Sequence, residues 1–162
     1  MKNIQKVLTN IIQETSNIFW VLFKVILPVI IVIRALELLG AIPYLAKFLE
    51  PLTGFIGIDG SLGLVWMAAI LVNIYAGMAA FASLQPIFDY TVAETTILGL
   101  IILIAHSLPI EVAIARKSRV SGIFNLLFRF INAVIAGKIL NYIFIKFDLF
   151  NEKNQSILEI PE

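Results

Sequence analysis

The sequence predicts an all-α integral membrane protein, and three observations carry that prediction. Of its 162 residues, 60% are hydrophobic, against roughly 45–50% in soluble domains, and mean hydropathy is +0.96. The excess gathers into runs of about 20 residues, the length a helix needs to cross a bilayer. Formal net charge is only +1, so no bulk field recruits nucleic acid. The chain has no cysteine, which removes disulfides, thiolate chemistry and Cys-ligated metals and leaves the redox compartment unreadable. Its length allows one domain or half of a larger one. The first apolar run begins near Asn17 with no small-residue cleavage site after it, so it reads as a retained span.

In chain order, residues 1–16 place Ile4, Val7, Leu8, Ile11 and Ile12 at helical spacing, with Lys2, Lys6 and Gln13 elsewhere on the wheel. This pattern suits an amphipathic interfacial helix, and equally a short helix packed on the protein's own core. Residues 17–146 form the transmembrane domain. Its first span, 17–39, contains Pro28, and Arg34 and Glu37 share a face three residues apart and can pair. Residues 43–60 are too broken by Pro and Gly to span and read as a short interfacial helix followed by a Gly-rich loop. Residues 61–84 are long enough to span, but Asn73, Tyr75 and Gly77 interrupt them in the stretch "NIYAG". Residues 93–115 form the next segment and 122–146 the last, where Asn125, Arg129 and Asn132 make one polar stripe. A lipid-facing arginine costs about 2.5 kcal/mol or more, so that stripe is expected to face protein or a water-filled cavity. Residues 147–162 read as a loose polar tail.

Charge counting arranges these segments. Four full crossings with an inside N-terminus would put Arg116, Lys117 and Arg119 outside, against the positive-inside rule. Flipping the chain strands Lys2 and Lys6 instead. Both clusters fit inside if 61–84 enters and returns as a re-entrant hairpin of two half-helices, tipped at "NIYAG". The expected fold is therefore an N-terminal amphipathic helix, about three full spans and one re-entrant hairpin, with four full spans as the alternative. The N-terminus and the 116–119 loop would be cytoplasmic, in a multi-pass protein of the cell (inner) membrane.

The stretch "AHSLPIE" concentrates polar chemistry inside an apolar run. Pro109 lacks an N–H and clashes with the preceding turn, so the helix should kink or break near residues 105–108. His106, Ser107, Glu111 and freed carbonyls would then converge, as in the broken-helix sites of secondary transporters. A plain kink, with Glu111 paired to Arg116 or Lys117 at the interface, is the competing form.

"GLVWMAAILVNIYAGMAAFASL" and "TTILGLIILIAHSLPIEVAIARKSRVS" resemble the nucleoside-recognition, or Gate, domain proteins. That group includes the spore maturation A/B-type membrane proteins and the Gate segments of the bacterial ferrous iron transporter. It is distantly similar to part of the concentrative nucleoside transporter fold. The resemblance covers roughly residues 20–145, and its most specific elements are "NIYAG" and "AHSLPIE". It implies a transport-like half-unit that pairs with a second copy, most simply as a dimer, or with a homologous partner chain. It also implies a small polar solute, nucleoside-like in kind, held by Asn73, Tyr75, Gly77, His106, Ser107 and Glu111. Arg34, Glu37, Glu94, Asn125, Arg129 and Asn132 enter as buried support on the membrane-burial argument alone. The competing function is a non-transporting assembly protein, whose small residues Gly77, Ala79, Ala80 and Ala82 allow close helix approach. Enzymatic chemistry is not expected: no Ser/His pair has a supporting acid at a recognisable spacing, and one histidine without cysteine makes a poor metal site. No cofactor is expected.

Overall fold

The computed structural model of the chain describes residues 2–153, with side chains from residue 10 onward. Among the described residues the regular elements are helices: α1 (Lys2–Leu38), α2 (Ile42–Ile56), α3 (Gly60–Leu71), α4 (Ile74–Leu84), α5 (Val92–Ile104), α6 (Leu108–Lys117) and α7 (Gly122–Phe147). Three stretches are long and apolar enough to cross a membrane: Asn10–Leu38, Val92–Lys117 and Gly122–Phe147. A further pair, α2 and α3, is apolar but bent by 91° at its joint. The chain is an all-α, multi-pass membrane protein.

α1 runs without a break past residues 16 and 17 and past Pro28. The segment expected to lie on the membrane surface is thus continuous with the first span; the side chains of residues 1–9 fall outside the described residues. α2 is the short helix expected over 43–60, but a tight turn rather than a loop follows it. Gly57 closes α2 with φ +85 and donates to Thr53 and Gly54 carbonyls. A Cβ there would lie 2.0 Å from Asn141 Cγ, so conformation and space both require glycine. Asp59 then caps α3, accepting from Ser61 N at 2.8 Å.

α3 and α4 form the hairpin. The helix breaks at Val72 and Asn73; Asn73 is extended, and its side chain accepts from Ala76 N at 3.0 Å to start α4. Ala69 and Gly77 each lie four residues from Asn73 and face one another, since a Cβ on Gly77 would be 2.8 Å from that of Ala69. Glycine therefore sets how closely the two half-helices approach. The start of α3 also meets the chain after α4: Ser61 Oγ is 2.7 Å from Tyr90 Oη, and Asp59 N donates to Glu94 Oε1 at 3.0 Å. The chain goes in at Gly60, turns at Asn73 and comes back to where it began.

α5 starts with a capping box, Thr91 and Glu94 exchanging hydrogen bonds. After the break at 105–107, α6 completes the span, and α7 returns antiparallel. A Cβ on Gly122 would meet Val112 Cγ1 at 2.7 Å, and one on Gly137 would meet Ile101 Cγ2 at 3.0 Å. Residues 148–153 of the tail are not loose. Val92 N and Ala93 N donate to the carbonyls of Glu152 and Phe150, each at 3.0 Å. Phe150 packs edge-on to Phe144, and Lys153 pairs with Asp89. The free donors of the α5 N-terminus fix this segment in place; residues 154–162 lie outside the described residues. The core is built where the broken helices meet, on fully buried Ile56, Leu62, Val65, Trp66, Leu84, Ile97 and Ile101.

The bundle thus has one end carrying residues 57–61, 85–94 and 141–153, and an opposite end at the turn 118–121. Single cysteines introduced at Lys47 or Asp89, both exposed, are expected to react with an impermeant thiol reagent from one side of sealed vesicles. A cysteine at Ser118 should react only from the other. Labelling of Lys47→Cys and Asp89→Cys from opposite sides would show that the hairpin crosses.

Candidate functional site at the paired helix breaks

A helix that breaks inside hydrocarbon frees carbonyls and amides, and each must find a partner within the protein. The break at Ala105–Ser107 sits near the middle of the 26-residue span Val92–Lys117. Pro109 cannot donate to Ala105 O, and the Trp66 indole N–H donates there instead, at 3.2 Å. Ile104 O accepts from Arg129 Nε at 2.8 Å. Ile102 O is met by the ring Nδ1 of His106 at 2.9 Å. The Ser107 amide donates to Ala69 O at 2.9 Å, reaching the last turn of α3. Ser107 itself adopts φ +50, ψ +33, a left-handed conformation that costs a residue with a Cβ about 1–2 kcal/mol. Such strain persists where surroundings over-determine it, and it clusters at functional sites.

Glu111 and Arg129 complete this locus. Arg129 Nη1 lies 2.9 Å from Glu111 Oε1, with both side chains partly buried. The guanidinium therefore bridges α6 to the last carbonyls of α5. Glu111 does not pair with Arg116 or Lys117, the alternative a plain kink would allow. A carbonyl only accepts, so His106 Nδ1 must carry the proton; in the neutral ring Nε2 is left as an acceptor, without a protein partner among the described residues.

The sequence-predicted residues therefore divide. His106, Ser107, Glu111 and Arg129 gather at the break, with α3 against them through Ala69. Asn73 lies one turn further, at the hairpin tip, its Oδ1 committed to capping α4. Gly77 is buried between the half-helices. Tyr75 is exposed and joins Arg34 in a separate groove of about 450 Å³ between α1 and α4, where Arg34 pairs with Glu37. Asn132 stands exposed, donating to Phe128 O of its own helix, and Asn125 is half-buried. Glu94 belongs to neither place: it clamps the α2–α3 turn and caps α5.

Sequence reasoning missed Trp66, although an indole N–H buried in an apolar helix always needs an acceptor. It also missed the Asp59–Ser61–Tyr90–Glu94 cluster, whose only local signal is the capping pattern Thr91–x–x–Glu94. Burial pushes the Tyr90 phenol above its ordinary range; the Ser61 hydrogen bond pulls the other way, and the nearby Asp59 and Glu94 carboxylates push it further up.

Two outcomes follow for stability in mild detergent. Trp66→Phe and Arg129→Leu each leave a break carbonyl unpaired, and each should cost about 1–3 kcal/mol, read as a lower midpoint of thermal unfolding. The unfolded chain loses the Tyr90 proton near pH 10, before the folded one does, so stability should fall as pH rises above about 10. Tyr90→Phe should remove that component of the pH dependence.

No family model matches the chain, and no solved structure does. Among curated proteins it is similar to the uncharacterized membrane protein YvoD of Bacillus subtilis (strain 168), at 31% identity over 98 residues. Those residues are 60% of this chain but only 30% of the relative.

Proposed function

We propose that the chain is a non-enzymatic, transport-type half-unit of the cell membrane. It would bind a small polar solute where its two helix breaks adjoin, completing the site with a second unit. The observation that carries this is the packing of one break onto the other through Ser107 N and Ala69 O, beside the Glu111–Arg129 pair. A scaffold that only fills space has no need to interrupt two apolar helices about one turn apart, hold Ser107 in a strained conformation and keep an ion pair there. Broken helices of this kind form the solute sites of secondary transporters. In this scheme His106 Nε2 accepts from the solute, and Asn73 Nδ2 donates to it. His106 and Glu111 hydrogen-bond the solute or carry a coupling proton, and Arg129 supplies hydrogen bonds. A nucleoside-like solute fits these donors and acceptors and the resemblance of "NIYAG" and "AHSLPIE".

The second unit is a further copy of this chain or a homologous one. The Bacillus subtilis relative is about 330 residues long, 98 residues being 30% of it, which is room for two units of this size. The hairpin contributes no net crossing, so the basic N-terminus and the Arg116–Arg119 loop share a side, and that side is the cytoplasm.

One observation favours the assembly reading: the break carbonyls are already satisfied within a single chain. The two are separated by water access. The sequence has no native cysteine, so His106→Cys and Asn73→Cys report individually. A transport site should let a small, charged thiosulfonate reach both in proteoliposomes, and a bound solute such as a nucleoside should slow that reaction several-fold. A dry, unreactive pair in a folded protein would establish the assembly role.

A further inference from the structure

Toward the bundle end that carries residues 141–153, α7 has two exposed cations, Lys138 and Lys146. Neither has an ion pair among the described residues, whereas nearby Lys153 is matched by Asp89. They stand at i and i+8 with exposed Tyr142 between them at i+4, so the three share one face of the helix. About 12 Å of helix axis separates the two lysines. Each ammonium lies over an aromatic ring. Lys138 Nζ is 4.7 Å from the Phe55 centroid, and Lys146 Nζ is 5.8 Å from that of Tyr142.

Phe55 belongs to α2, whose exposed residues divide into two flanks. Tyr44, Phe48 and Phe55, at i, i+4 and i+11, make an aromatic stripe; Lys47, Glu50 and Gly54 make a polar one beside it. Ile42, Thr53 and Ile56 are buried between α2 and the core. α2 meets α3 at 91°, so it lies across the axis along which the hairpin enters. This is the form of a helix lying in a membrane interface, with one flank in hydrocarbon and the other in water. The aromatic stripe ends at Phe55, and so at Lys138.

Charge selects what meets this surface. α7 is long and apolar enough to span, and Lys138 stands nine residues, about 14 Å, inside its end at Phe147. An ammonium in such a place needs a partner, and a ring face offers less than a full counter-charge. An apolar helix from another protein brings none. A lipid phosphate brings one, at the level where interfacial aromatic rings sit. We propose that Lys138 and Lys146 hold the phosphate of an anionic phospholipid beside Tyr142, with its acyl chains along the aromatic stripe of α2. Lys138 lies nine residues beyond Arg129 on α7, so this surface is separate from the helix breaks and independent of the solute proposal.

The test is native mass spectrometry of the full chain, extracted in mild detergent from vesicles of equal parts dioleoyl phosphatidylglycerol and dioleoyl phosphatidylcholine. The two lipids share their acyl chains, but the choline lipid carries its own cation, so the ratio retained reads charge rather than chain packing. The wild type is expected to retain phosphatidylglycerol in excess. Lys138→Gln with Lys146→Gln should lower that excess roughly tenfold, and Lys146→Gln alone, near the helix end, roughly threefold. Lys138→Arg with Lys146→Arg should keep it, as should Lys47→Gln on the polar flank of α2. Equal retention of the two lipids by the wild type, an excess unchanged in the glutamine variants, or an excess lost equally in Lys47→Gln would each overturn the proposal. So would a dimer that only the glutamine variants dissociate, which would give the lysines to carboxylates of a second copy.

Discussion

The structure depends on one constraint: a backbone group freed inside a membrane must be satisfied by the protein itself. Breaking α5 from α6 frees several such groups, and their partners come from two other elements. Trp66 comes from α3, Arg129 from α7, and Ala69 O from the end of the hairpin's first half. These long-range hydrogen bonds tie the half-helices to the spans around them. Apolar contact alone could not choose this arrangement, since lipid tails are as apolar as leucine. The polar bonds at the break select which helix faces which.

Close packing follows from the same need. The α3–α4 turn reaches the break only because Ala69 and Gly77 let two half-helices approach with nothing larger than a methyl between them. Trp66 then presents its indole N–H to Ala105 O while its ring stacks on Phe130, with centroids 5.3 Å apart. One residue thus serves the hydrogen-bond network and the core at once. At the other end, Asp59, Ser61, Tyr90 and Glu94 hold the start of the hairpin against the start of α5. The hairpin is fixed at its base by polar contacts and near its tip by the break.

Much of this was legible in residues that restrict the backbone. Pro109 marked the α5–α6 break because its missing N–H acts locally, and Asn73 marked the hairpin tip because a polar cap inside an apolar run has few other uses. Charge counting favoured a return after 61–84 over four full spans, and Ser61 meets Tyr90, six residues past the end of α4. What stayed hidden depended on distant partners. Glu111 had two cations close by in sequence, Arg116 and Lys117, yet pairs with Arg129, eighteen positions on, because the antiparallel return of α7 brings that arginine alongside. The polar tail looked loose because its partners, the uncapped amides of α5, lie about sixty residues earlier. The Asn125–Arg129–Asn132 stripe has the right helical period, but only Arg129 reaches across to the break.

The Glu111–Arg129 pair has a mechanical consequence. α6 and α7 are joined by a short turn, packed together at Gly122 and Val112, and pinned by this ion pair, so they behave as one lever arm. The fulcrum is the non-helical segment Ala105–Ser107, where no regular backbone ladder resists bending. Arg129 also holds Ile104 O on the far side of that fulcrum, so it acts as a latch between the arm and its base. Swinging the arm would also strip α7 from α5 and α3, because Gly137 packs on Ile101 and Phe130 stacks on Trp66, so packing holds the arm together with this guanidinium. Resistance to that motion is therefore shared by the ion pair, the carbonyl contacts at the break and the α5–α7 packing.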